Sequence, residues 1–167
     1  MSYDLSRNPL TQEGIALGRK LFHDPLLSLD SSTSCSSCHL SYTAFSHTDH
    51  QLSHGIHDSI GTRNAPALMN LAWSKTFMWD GAVNHLDMQP LAPINHSGEM
   101  GESTQHVVFK LENSRTYRRL FAEAFGDSMI LSDRMLKALA QFQLSLVSAG
   151  SRYDRMKAGV ELFTEQE

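Results

Sequence analysis

A mainly α-helical single domain with long loops, spanning 1–167, is the fold class this sequence predicts. Three observations carry it. Apolar residues recur at helical spacing near the N-terminus and again through the last third of the chain. No segment alternates polar and apolar residues over the length of a strand. The middle of the chain is punctuated by Gly and Pro without any period. A length of 167 residues with 41% hydrophobic content suits one domain with a core of its own.

The first helix is expected from about Gln12 to His23, with Thr11 as N-cap and Ile15, Leu17, Leu21 and Phe22 as apolar positions. Asp24-Pro25 ends it, because a residue before proline avoids the α region. Ser28 to Ser34 is rich in small hydroxyl residues and reads as a loop that delivers the chain to Cys35. From Thr43 to Pro66, Gly55, Gly61 and Pro66 mark a long loop. Loops beyond about 12–15 residues are uncommon and often functional. Ala67 to Ser74 is expected as a short helix, Trp79-Asp80-Gly81 as a turn, and Pro90 to Gly101 as a second irregular stretch. Tyr117, Leu120, Phe121, Ala124 and Phe125 make one apolar helix face, closed by Gly126. Ser132 is expected to cap a last helix that Met135, Leu136, Leu139, Phe142, Leu146 and Val147 carry on until Gly150.

A net charge of -4 without any Lys/Arg run excludes a nucleic-acid partner. No apolar stretch approaches the roughly 20 residues of a membrane span. The polar start Met1-Ser2-Tyr3-Asp4 has no signal-peptide core. The two cysteines lie three positions apart, so no disulfide framework is available, whereas nine histidines and eight methionines are many for this length.

Cys35-Ser36-Ser37-Cys38-His39 is a complete C-x-x-C-H motif, the attachment signature of c-type haem. Its spacing has a chemical reason. Two thiols must reach two vinyl groups on one porphyrin edge, and two intervening residues in a helical turn set that separation. The following histidine is then tethered beneath the ring as an axial iron ligand. The motif thus predicts one covalent haem c held by Cys35, Cys38 and His39. Two other readings of the pair stand beside it. Half of a zinc site needs two further ligands, and no second cysteine pair exists, although histidines could complete the set. A thiol redox pair expects a βαβ context. Covalent haem attachment in bacteria takes place outside the cytoplasm, which predicts a periplasmic protein whose signal peptide is not part of this chain.

From Leu17 onward an ordered set of residues surrounds the motif: Leu17-Gly18-Arg19-Lys20-Leu21-Phe22, Asp24-Pro25-Leu26-Leu27-Ser28, Arg63-Asn64-Ala65-Pro66, Trp79-Asp80-Gly81, Gln89, Pro93 and Glu99-Met100. This set resembles the N-terminal haem domain of the bacterial di-haem cytochrome c peroxidases. The same pattern occurs in the related enzyme that matures the tryptophan-derived cofactor of methylamine dehydrogenase. The resemblance implies a cytochrome c-like haem domain whose haem reacts with hydrogen peroxide and reduces it to water. In the family a second, C-terminal haem domain takes electrons from a small cytochrome or cupredoxin donor. This chain has no second C-x-x-C-H, so it resembles the peroxidatic half alone. Intact members are commonly homodimers.

The resemblance also implies roles. Glu99 matches the distal acid-base carboxylate, and Gln89 would orient the peroxide. Trp79 matches a tryptophan between the two haems that carries the electron. Asn64 matches a ligand of a calcium ion at the domain interface of the intact protein. Arg63 would pair with a haem propionate. Many members place a distal iron ligand in the loop before Arg63. A gapless match puts Ile56 there, with His57 beside it and His54 two before it, so either histidine is a candidate and an open iron is the favoured alternative. His47 and His50 are expected at the surface. Met69, Met78, Met88 and Met100 have no spacing that marks an iron ligand. Beside peroxide reduction, two further functions fit these residues: a maturation-type oxidase acting on a protein substrate, and a mono-haem electron carrier.

Overall fold

In the computed structural model, residues 1–164 and Gln166 are described. The expected unit ends at Glu167, outside them. Seven helices occur among the described residues: α1 (Gln12–His23), α2 (Cys35–Cys38), α3 (Leu91–Asn95), α4 (Thr104–Glu112), α5 (Arg115–Phe125), α6 (Ser132–Ser145) and α7 (Arg152–Lys157). Single 3-10 turns lie at Pro25–Leu27, Ser41–Thr43, Ile56–Asp58, Leu71–Trp73 and Leu86–Met88. Extended pairing among the described residues is limited to isolated bridges at Leu40–Ser46, His54–Ile60 and Phe77–Val83.

Helix α1 begins as its sequence dictates, with Thr11 Oγ1 accepting the Gly14 N–H at 3.0 Å. It buries Leu17, Leu21 and Phe22 against α6 and α5. The α1–α6 crossing is close because α1 carries glycine there. A Cβ on Gly18 would lie 1.9 Å from the Ala138 carbonyl oxygen, and one on Gly14 would lie 2.2 Å from Gln141 Oε1. Helix α5 closes on Gly126, left-handed at φ 85°, and its Tyr117 hydroxyl donates to Asp24 Oδ2 at 2.6 Å. Phe121, Val107, Leu111, Met135 and Leu139 complete the main core, and a smaller cluster gathers Tyr3, Phe77, Leu86, Ala140 and Leu144.

Several boundaries differ from expectation, each for a local reason. Ser132 is the first residue of α6 rather than its cap. Leu131 holds the cap position without a side-chain bond, while the buried Ile130 anchors the approach. Helix α6 stops at Ser145, short of Gly150, because the chain beyond is drawn onto a loop. Asn70 N–H donates to the Leu146 carbonyl at 2.9 Å, and Asn70 Oδ1 accepts the Ser148 N–H at 2.8 Å. Asn70 is itself left-handed at φ 61°, so only Leu71–Trp73 of the helix expected over Ala67 to Ser74 forms. The irregular stretch from Pro90 contains α3, whose entry Pro90 sets at φ -65°.

Helices α4 and α7 were not marked by sequence pattern. Thr104, Val107 and Val108 are weak helix formers. Tertiary contacts hold α4 instead. Ser103 Oγ accepts the His106 N–H at 3.2 Å, and the buried Glu102 meets Lys110 Nζ at 2.7 Å and His106 Nδ1 at 2.8 Å. Burial alone would raise the Glu102 carboxyl, but the hydrogen bonds from Lys110, the Ser103 N–H and His106, with the charge of Lys110, together outweigh it and hold the group below its ordinary value. Lys110 also donates to the Ser28 carbonyl at 2.7 Å, which fixes the segment leading to α2.

Candidate functional site

Helix α2 is a single turn stabilised by a reciprocal serine pair. Ser34 N–H donates to Ser37 Oγ at 3.0 Å, and Ser37 N–H donates to the Ser34 carbonyl at 3.1 Å. The turn sets Cys35 and Cys38 on one side, both as free thiols. Burial pushes the Cys35 thiol up to about 12 and raises Cys38 as well. Such thiols stay protonated near neutral pH, which disfavours a thiolate redox pair. No group of three or more His, Cys, Asp and Glu among the described residues is placed to hold a metal ion, so a zinc site at the cysteine pair lacks its remaining ligands.

His39 follows the turn and is fixed from behind. Its Nδ1 lies 2.7 Å from the Phe45 carbonyl, so the proton sits on Nδ1 and Nε2 keeps its lone pair. The left-handed residues Ala44 (φ 57°) and Phe45 (φ 59°) aim that carbonyl back at the ring. Burial lowers the His39 pKa, favouring the neutral imidazole that ligates metals. Phe22 packs 6.3 Å from the His39 ring and 5.1 Å from Phe142, joining the histidine to α1 and α6.

One slot collects five of the residues singled out by sequence: Cys35, Cys38 and His39 from the α2 side, with Gln89 and Glu99 from the segments flanking α3. Phe22, Thr33, Ser34, Leu68, Pro90, Pro93, Met100, Leu139 and Gln143 complete its lining. Phe22, Pro93 and Met100 belong to the ordered set around the haem motif, whereas Leu68, Leu139 and Gln143 belong to no motif. Gln143 alone carried a legible signal, a polar residue one turn beyond Leu139 on the inward face of α6. The Glu99 backbone is locked to the facing loop, its carbonyl accepting the Ile56 N–H at 2.8 Å.

The other candidates lie outside the slot lining. Trp79 is 64% exposed and donates from Nε1 to the Asn64 carbonyl at 2.7 Å. The Asn64 amide donates to the carbonyls of His47 at 3.1 Å and Gln51 at 3.0 Å. Arg63 Nη1 pairs with Asp80 Oδ2 at 2.9 Å on the surface. His54 pairs with Asp58, and the exposed His57 sits at φ 54° with Nδ1 3.7 Å from Asp30 Oδ2. Between them Ile56 is buried, and a Cβ on Gly101 would lie 2.3 Å from its Cδ1. His50 is exposed as expected, but His47 is buried, because its loop folds under and sets Nε2 2.9 Å from His50 Nδ1.

The donor set fits a covalently attached haem. Two free thiols on one turn are spaced for two vinyl groups, the His39 imidazole is oriented, and the buried Gln143 Oε1 in the slot wall has no protein partner. The family model for di-haem cytochrome c peroxidase matches residues 12–161.

The chain belongs to the di-haem cytochrome c peroxidase family. It is 37% identical to the methylamine utilization protein MauG of Methylophilus methylotrophus over 154 residues, covering 92% of this chain and 46% of that protein. It is 35% identical to the cytochrome c551 peroxidase of Nitrosomonas europaea over 145 residues, covering 86% of this chain and 42% of that one. A solved MauG-like protein associated with microbial copper homeostasis superposes with a TM-score of 0.85 at 35% identity, over 96% of this chain and 48% of its own. The chain thus spans about half the length of the family members it matches. Its helical, nearly strand-free architecture is the cytochrome c-like haem-domain fold of this family, whose members bind haem c.

Proposed function

We propose that the chain is a single cytochrome c-type haem domain, the peroxidatic half of a di-haem peroxidase that reduces hydrogen peroxide to water with electrons from a small redox donor protein. The observation that carries this reading is the meeting of Glu99 and Gln89 with Cys35, Cys38 and His39 in one slot. When bound, one haem c supplies a redox-active iron at which peroxide is reduced.

The chain's own residues do the rest. Cys35 and Cys38 would hold the group as thioethers, and His39 would ligate the iron through Nε2, its ring fixed by the Phe45 carbonyl. Glu99 takes the proton from the peroxide oxygen that binds and returns it to the oxygen that leaves. Gln89 orients the peroxide. Its amide donates to Met78 Sδ at 3.6 Å, a weak acceptor that a peroxide oxygen would replace. The balanced reaction consumes two electrons and two protons per peroxide and yields two waters. Trp79, exposed and held by Asn64, offers the face at which electrons arrive from the second haem domain. Arg63, paired with Asp80 in this chain, would pair with a propionate, and Asn64 would contribute to a calcium site completed in the intact protein. Because bacterial c-type haem is attached outside the cytoplasm, the reading places the protein in the periplasm. No helix of the described residues is long and apolar enough to cross a membrane.

A maturation-type oxidase acting on a protein substrate is the second reading. Ile56 favours it, since this buried apolar residue holds the position that the family match gives to a distal ligand, while His54 pairs with Asp58 and His57 is exposed. An electron carrier gains nothing from a carboxylate in the slot, which disfavours the third.

The test begins with visible spectra of the purified holoprotein, ferric and dithionite-reduced, before and after denaturation. Colour that stays with the denatured chain and a high-spin ferric spectrum are expected. A colourless chain or free haem would remove the reading. In the intact two-domain protein, Glu99→Gln lowers peroxide-dependent donor oxidation by about 10²–10⁴-fold. An unchanged rate would take Glu99 out of the mechanism, and a wild-type enzyme that oxidises a protein substrate but no small donor would favour the second reading.

A further inference from the structure

Helix α6 carries two buried glutamines with opposite circumstances. Gln141 is 4% exposed and fully engaged by protein. Its Oε1 accepts the Thr11 N–H at 3.1 Å, and its Nε2 donates to Asn8 Oδ1 at 2.8 Å. Gln143 is 3% exposed, and its Oε1 is buried with no partner at all. An unpaired polar atom in an apolar setting is costly, and a leucine of similar volume would serve the protein alone better. Gln143 lines the same slot as Cys35, Cys38 and His39, directly after Phe142 of the aromatic cluster beneath the histidine. Its polar end is therefore built for what the slot holds rather than for the core.

We propose that Gln143 is a positioning residue whose carboxamide faces the haem, completes its hydrogen bonding there and raises the reduction potential of the iron. This rests on the haem assignment of the preceding section. A haem at neutral pH offers acceptors and no strong donor, so the amide presents its N–H. Exchange of oxygen and nitrogen by a half-turn of the amide plane puts the N–H where Oε1 now lies, and the heavy atoms alone do not distinguish the two. In a water-poor slot an oriented N–H dipole favours the electron-rich, reduced state. None of the slot residues that match the family's motifs lies on α6.

The experiment is a spectroelectrochemical titration of the holoprotein and three variants, Gln143→Leu, Gln143→Glu and Gln141→Leu, with denatured-state spectra taken first to establish that haem is attached. If haem is not attached to the wild type, the underlying assignment fails and this inference with it. With haem attached, Gln143→Leu lowers the midpoint potential. Gln143→Glu lowers it further and makes it fall as pH rises, since a carboxylate near the iron favours the ferric state. Gln141→Leu lowers the melting temperature by breaking the Asn8 and Thr11 bonds but leaves the potential unchanged. Wild-type potentials in both Gln143 variants at every pH, or a raised potential in Gln143→Leu, would overturn the proposal. The isosteric Gln143→Glu keeps the question answerable if the leucine variant does not fold.

Discussion

The helices on one side of the slot and the loops on the other are ordered by different forces. Helices α1, α4, α5 and α6 interlock through buried side chains and a backbone contact at Gly18, with Phe121, Leu17, Val107 and Met135 fully excluded from water. The stretch between His39 and α3 has little core of its own. Side-chain bonds to backbone hold it: Thr43 Oγ1 to the Ser46 carbonyl at 2.8 Å, Ser46 Oγ to the Ala65 carbonyl at 2.9 Å, and the two bonds from Asn64. It also bends through left-handed residues at Ala44, Phe45, His57, Asp58, Asn70 and Met78. Substitutions in the helices therefore act on stability, and those in the loops act on how the site is set.

The largest expected effect tests the helical side. Phe121→Ala leaves a cavity in the main core and costs about 3–5 kcal/mol by denaturant unfolding. A cost under about 1 kcal/mol would mean the helices do not depend on that core. Next comes the bridge between the two sides. Lys110→Met strands the buried Glu102 carboxylate and costs roughly 3 kcal/mol at neutral pH. The pH dependence follows from the lowered Glu102 pKa. A folded-state value below the unfolded 4.5 means stability that is fully present above pH 4.5 and is lost as pH falls through the folded value. Melting curves of the wild type should show that acid loss, and Lys110→Met should flatten it.

Smaller effects probe the loops. Asn64→Ala removes the bonds to His47 and Gln51 and costs about 1 kcal/mol, with the Trp79 fluorescence red-shifted as its loop loosens. An unchanged emission maximum would mean that the Arg63–Asp80 pair alone holds that loop. His57→Ala sharpens the contrast most finely. An exposed ring in a left-handed turn should shift Tm by no more than about 2 °C and leave the ferric spectrum of the holoprotein unchanged. A low-spin to high-spin change in that variant would instead make His57 the closing ligand.

Legibility followed the same division. Helices α1, α5 and α6 could be read because their periodic apolar faces are the faces they bury, and Thr11 and Gly126 mark two ends by local chemistry. The end of α6 could not be, because Asn70, some 75 residues earlier, captures Leu146 and Ser148. Helix α4 escaped notice because its anchor is the Glu102–Lys110 contact rather than propensity. Cys35, Cys38, His39, Gln89 and Glu99 share one slot, and Gln143 joins them from α6, where its one mark in the sequence is a polar residue one turn beyond Leu139. His47 was misplaced at the surface because imidazole burial depends on what the loop folds over.

What the sequence by itself determined was chemistry and family: the thiol spacing, the adjacent histidine, and the ordered residues that go with them, since covalent geometry and short-range spacing are properties of the chain. What only the tertiary structure decided was which side chains face the slot. Gln143 lines it from α6, whereas Ile56 is buried outside the lining, beside the exposed His57, because the Ile56 N–H is fixed to the Glu99 carbonyl and Gly55 leaves no room for a Cβ beside Gly98. Those contacts join segments about 40 residues apart, and no local pattern encodes them.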